Sequence, residues 1–177
     1  MNLSSSKFIE KVHNNKRFKR LVEMFEQGRF AVDDTAALKE IESLHKTRAS
    51  RSLQPNDVLT SFQRNTITMS MQNMAFRSRL VEIKMRFFKL HRALDEHIDA
   101  MRNYLVTRYT VEFKREFGTV DARRKALDFI MEDFSKKSVS FQTVTEMADL
   151  VIADIDQTAW GIKAIISAME LTARIEK

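Results

Sequence analysis

"FRSRLVEIKMRFFKLHRALDEHIDAMRNYLVTRYTVEFKREFG", Phe76 to Gly118, holds no proline, and its one glycine is the last residue. Along it Phe76, Leu80, Ile83, Phe87, Leu90, Leu94, Ile98, Met101, Leu105, Tyr109 and Phe113 form a stripe, each three or four residues after the last. Such steps keep a side chain on one face of an α-helix, which turns once every 3.6 residues. The spacing predicts a single helix from about Asp57 to Phe117. At 1.5 Å per residue a helix of about 55 residues is on the order of 80 Å long and cannot bury its stripe alone.

Beyond it comes "FGTVDARR", Phe117 to Arg124. Gly118 suits a left-handed residue after a helix, Thr119 suits an N-cap, and Asp121 sits where the helix dipole favours an anion. A second stripe follows: Leu127, Ile130, Phe134, Phe141, Val144, Ala148, Val151, Ile155, Ala159, Ile162, Ile166, Met169 and Ala173. Two long stripes separated by a turn near 117–119 predict an antiparallel hairpin of two long helices. Before it, one helix is expected from about Ser5 to Gln27, weakened at Asn14–Asn15 and stopped by Gly28. A second is expected over "VDDTAALKEIESLHK", capped by Asp34 or Thr35. The stretch "TRASRSLQPN", 47–56, carries the chain's one proline and marks the boundary between an N-terminal region, 1–55, and the hairpin, 56–177. With three glycines in 177 residues and no alternating apolar pattern, the fold class is all-α, and the long stripes imply a coiled-coil-like oligomer.

The chain contains no cysteine, which excludes disulfides and thiolate chemistry. No apolar run is long enough for a signal peptide core or a membrane span, so a soluble, cytoplasmic protein is expected. Its net charge is +6, with the positive excess in the first two thirds and a slight acidic excess in the last. Such a balance favours polyanions, nucleic acid first.

The basic excess is densest in Arg77, Arg79, Lys84, Arg86, Lys89 and Arg92, against one acid, Glu82. The same helix carries a second apolar row, Ile67, Met71, Met74, Val81, Met85 and Phe88, roughly opposite the first. A helix apolar on two faces is expected to be sandwiched, the second row meeting the N-terminal helices or another copy of the chain. The flanking cations are the candidates for phosphate contact, because a row of positive side chains is all that contact needs. "KRFKR", Lys16 to Arg20, is a further basic cluster. Catalytic chemistry is not expected. The four histidines have no paired-ligand spacing, the lone Glu-x-x-His at Glu42–His45 lacks the second copy that a di-iron bundle needs, and no glycine-rich phosphate loop exists. No cofactor and no metal are expected.

"IDQTAWGIKAII", Ile155 to Ile166, sets Trp160 beside Gly161 ahead of Ile162 and Lys163. From about Thr66 onward the chain resembles the UvsY-type recombination mediators of tailed phages. They are similar in placing an aromatic and a small residue before an apolar–Lys pair in an apolar C-terminal helix. The family's Lys-x-Arg contact motif falls on Val106–Thr107–Arg108, retaining Arg108, and Thr158 stands where the family has an arginine. The resemblance implies a non-enzymatic mediator that binds single-stranded DNA and a single-strand-binding protein or recombinase. It also implies self-association through the C-terminal helix. The expected nucleic-acid contacts are therefore Arg77, Arg79, Lys84, Arg86, Lys89, Arg92 and Arg108. The expected oligomer contacts are Phe141, Val144, Val151, Ile155, Trp160, Ile162, Ile166 and Met169. The alternative is a phage virion structural or assembly subunit, of neck, baseplate or scaffold type, located in the virion rather than the host cytoplasm.

Overall fold

A computed structural model describes residues 7–49 and 59–175, with side chains at 49, 59–65, 169–170 and 172–175 outside the description. Among the described residues there are seven helices and no strand: α1 (Lys7–His13), α2 (Lys16–Glu26), α3 (Asp34–Ala49), α4 (Leu59–Arg108), α5 (Thr110–Glu116), α6 (Val120–Ile130) and α7 (Glu132–Ile175). The all-α reading holds. The boundary expected at 55–56 lies outside the described residues.

The chain packs as two compact units, each drawn from separate stretches of sequence. Unit 1 comprises residues 1–33 and 87–143; unit 2 comprises 34–86 and 144–177. Both long helices, α4 and α7, contribute to each.

Unit 1 is built on aromatic rings. Phe8 of α1 meets Tyr109, Phe113 and Phe117 at centroid distances of 5.7, 4.5 and 5.7 Å. Phe134 takes Phe18 and Phe25, and Phe87 takes Phe141 at 5.6 Å. Edge-on and tilted contacts of this kind add to the area they bury. Between α4 and α7 lies a small polar cluster. The Ser138 hydroxyl, 4 % exposed, donates to Asp95 Oδ1 and shares a 2.8 Å hydrogen bond with His91 Nδ1. Arg102 of α4 pairs with Asp128 of α6 at 3.0 Å, so residue numbers rise along α4 as they fall from α7 into α6.

Unit 2 has an aliphatic core. Leu80 and Ile83 of α4, Ala37 and Ile41 of α3, and Val144, Ala148, Val151, Ile155 and Ile162 of α7 are all buried. Ion pairs pin its edges. Arg48, 12 % exposed at its side chain, donates to the Asp154 carboxylate, the Thr158 hydroxyl and, at 3.2 Å, the Asp154 carbonyl. Arg77 makes two bonds to Asp156 and Lys84 reaches Asp149 at 2.6 Å.

Several local expectations change. The first helix is two, α1 and α2, because Asn15 accepts from Arg17 N at 2.9 Å and so caps a new helix. The long helix is interrupted at Tyr109, where the Thr110 hydroxyl bonds the Val106 and Thr107 carbonyls in competition with the backbone. A second break falls at Met131, between α6 and α7. Thr119 does cap α6, accepting from Ala122 N at 3.2 Å. Gly118 is not left-handed, since no glycine has positive φ. Gly28 is favoured by proximity instead: a Cβ there would lie 3.0 Å from Met24 Cα and from its carbonyl oxygen, a tight contact with backbone.

Candidate nucleic-acid interface

The basic row that looked continuous in sequence is largely neutralised in the fold. In unit 2, Arg77 is held by Asp156, Lys84 by Asp149, and Arg79 by Glu40 at 2.6 Å and Glu82 at 3.1 Å. These arginines hold the Asp156 and Glu40 carboxyls below the usual carboxylate range, through hydrogen bonds first and charge second. Arg86 is exposed. In unit 1, Arg92 reaches Glu96 at 3.3 Å one turn along its own helix, and Lys89 is exposed. Three of the six cations in the row thus tie α4 to other helices.

The expected oligomer contacts also prove to be mostly interior. Phe141, Val144, Val151, Ile155 and Ile162 are buried by the chain's own packing, which uses up their apolar surface. Trp160, 71 % exposed, and Ile166 are in solvent, with the Lys163 ammonium 5.2 Å from the Trp160 ring centre. The Met169 side chain lies outside the described residues.

Positive charge also gathers around Arg108 in unit 1. The end of α4 and the junction of α1 with α2 enclose a groove of about 650 Å³, lined by Lys11, Lys16, Arg17, Arg108, Asn15, Tyr104, Tyr109 and Glu112. Asn15 organises it. Its Oδ1 caps α2, while its Nδ2 donates to the Tyr104 hydroxyl at 3.1 Å and the Tyr109 hydroxyl at 2.8 Å. One amide thus fixes both tyrosines relative to the start of α2. The Arg17 guanidinium lies over the Tyr104 ring, 4.7 Å from its centre. Lys11 sits 5.5 Å from the Tyr109 ring centre and pairs with Glu112 at 2.7 Å, holding that carboxyl below its ordinary range.

A second hollow, of about 390 Å³, shares Arg17 and Tyr104 and adds Arg20 and His97. The two hollows flank one stacked Arg–Tyr pair. Glu112 is the one acid among their lining residues, facing five lysines and arginines. Of these residues, sequence reasoning singled out Arg108 and the 16–20 cluster. It missed Lys11, Asn15 and the tyrosines, which are 89 to 101 positions from their partners in the chain.

Among the described residues no group of three or more His, Asp or Glu could hold a metal ion, and no helix is long and apolar enough to cross a membrane. No family model, curated protein or solved structure matches the chain.

Proposed function

We propose that the chain is a non-enzymatic, oligomeric accessory protein that binds single-stranded nucleic acid through the groove of unit 1, in the manner of a recombination or replication mediator in the cytoplasm. One observation carries this reading: five cations, one of them the Arg17 guanidinium stacked on half-buried Tyr104, line two adjoining hollows that hold one acid. Lysine and arginine side chains neutralise phosphates without regard to sequence. The exposed Arg17 guanidinium, held over the Tyr104 ring, offers a stacking plane of the kind unpaired bases use, while the Tyr109 ring is buried and contributes its hydroxyl alone. A single-strand-binding protein or recombinase would be the partner on such a strand. The pairing of α4 with α7 inside each unit supports the helical-hairpin reading of the fold.

The rival reading, a structural subunit of a larger assembly, rests on a different feature: exposed apolar side chains on unit 2. Anisotropy of a labelled single-stranded oligonucleotide across a salt series separates the two. The proposal expects binding that weakens steeply with salt, and a salt slope shallower by about 0.7 for each phosphate contact removed. Lys16→Glu with Arg108→Glu is therefore expected to lose most of the affinity while keeping its helicity. Absence of binding at low salt overturns the reading and favours the assembly subunit.

A further inference from the structure

The outer face of α4 within unit 2 carries Ile67, Met71, Met74, Val81 and Met85. The N-terminal helices do not cover it, contrary to one of the two sequence expectations: Ile67, Met71, Met74 and Met85 are 63, 68, 71 and 45 % exposed. With Ser78 included, the steps along this row are 4, 3, 4, 3 and 4 residues. That is a strict seven-residue repeat, with Ile67, Met74 and Val81 at d and Met71, Ser78 and Met85 at a. It differs from the core stripe, whose mean step is nearer 3.7. A 3.5-residue repeat drifts across a straight helix and stays in contact only with a partner helix wound around it.

We infer that this row is a coiled-coil seam for a second copy of the same chain, paired parallel and in register. Charge is the first reason. Residues 65–76 contain no charged side chain, so two copies of a +6 protein meet there without repulsion. Further along, Arg77 at g and Glu82 at e are held within the chain by Asp156 and Arg79, so neither brings an unpaired charge to the seam. Lys84, whose counterpart would be Lys89, is already paired with Asp149 at 2.6 Å. The second reason is Ser78, the one polar residue on the row. Only parallel in-register pairing sets it opposite itself; a shift of one heptad would set it against Met71 or Met85. The inference stands apart from the groove of unit 1.

The chain lacks cysteine, so single substitutions give clean cross-links. Ser78→Cys and Met74→Cys, made separately in the full chain, are each expected to form a disulfide-linked dimer on mild oxidation. A cysteine at exposed Val111 serves as the control and is expected to stay monomeric on denaturing gels. Light scattering is expected to give twice the chain mass for the native protein. It should give a single chain mass for Met71→Glu with Met74→Glu, whose circular dichroism is unchanged because both side chains are exposed. A native monomer at micromolar concentration, a dimer that survives the double glutamate change, or cross-linking at only one of the two seam cysteines would each overturn the parallel seam.

Discussion

Unit 1 holds eleven of the thirteen phenylalanines and both tyrosines, whereas unit 2 has Phe62, Phe76 and Trp160 as its aromatic residues. The first turns most of its rings inward, Phe88 and Phe129 excepted, and leaves a charged groove in solvent. The second closes an aliphatic core, straps it with arginine ion pairs, and leaves methionine, isoleucine and tryptophan side chains exposed. Burying apolar area is the main favourable term in folding, and exposing a row of it is unfavourable by roughly 25 cal/mol per Å². Unit 2 keeps such a row in water. Under the two proposals above, unit 1 offers a face to polyanions and unit 2 a face to another helix.

The contrast is most easily broken at Phe8, which touches three rings and is 2 % exposed. Phe8→Ala is expected to cost about 3–5 kcal/mol of stability by denaturant unfolding. A cost below about 1 kcal/mol would show that the aromatic cluster does not organise unit 1. In unit 2 the matching test is Arg48→Ala. It removes three bonds from α3 to α7 but leaves an Asp154 that water can reach, so about 1–3 kcal/mol is expected. Hydrogen exchange should quicken in α3; unaltered exchange there would refute the strap. Asn15→Ala sharpens the comparison, because it combines a modest stability loss of about 1 kcal/mol with a larger loss of oligonucleotide affinity as the tyrosines lose their anchor. Equal affinity would show that Asn15 serves folding alone.

The smallest effect is with pH. Glu40 and Asp156 are held below the usual carboxylate range by Arg79 and Arg77. Their contribution is present above the unfolded values of about 4 and is lost as pH falls through the lower folded values. Thermal unfolding between pH 7 and 3 should therefore show a shallower acid loss in Glu40→Gln with Asp156→Asn. Identical slopes would contradict the assignment.

Much of the fold was legible because apolar periodicity survives any tertiary arrangement. Every member of the stripe from Leu80 to Phe113 is buried, and Thr119 caps a helix. The breaks at Tyr109 and Met131 were not legible, since neither residue disfavours a helix and both interruptions sit at buried side chains. The candidate site was harder to read for a related reason. Charge along one helix says nothing about which cations find acids on another, and Asp149, Asp156 and Glu40 claim three of the expected contacts. The groove depends on Asn15 and Lys11 meeting Tyr104, Tyr109 and Glu112, contacts that no local pattern announces.

The most direct test of a division of labour is hydrogen exchange on the full chain, free and saturated with a single-stranded oligonucleotide. Slower exchange confined to residues 14–18 and 104–112, with 67–85 unaltered, is the predicted result. Protection along 77–92 with none in unit 1 would return the phosphate contacts to the ion-paired row and contradict the account.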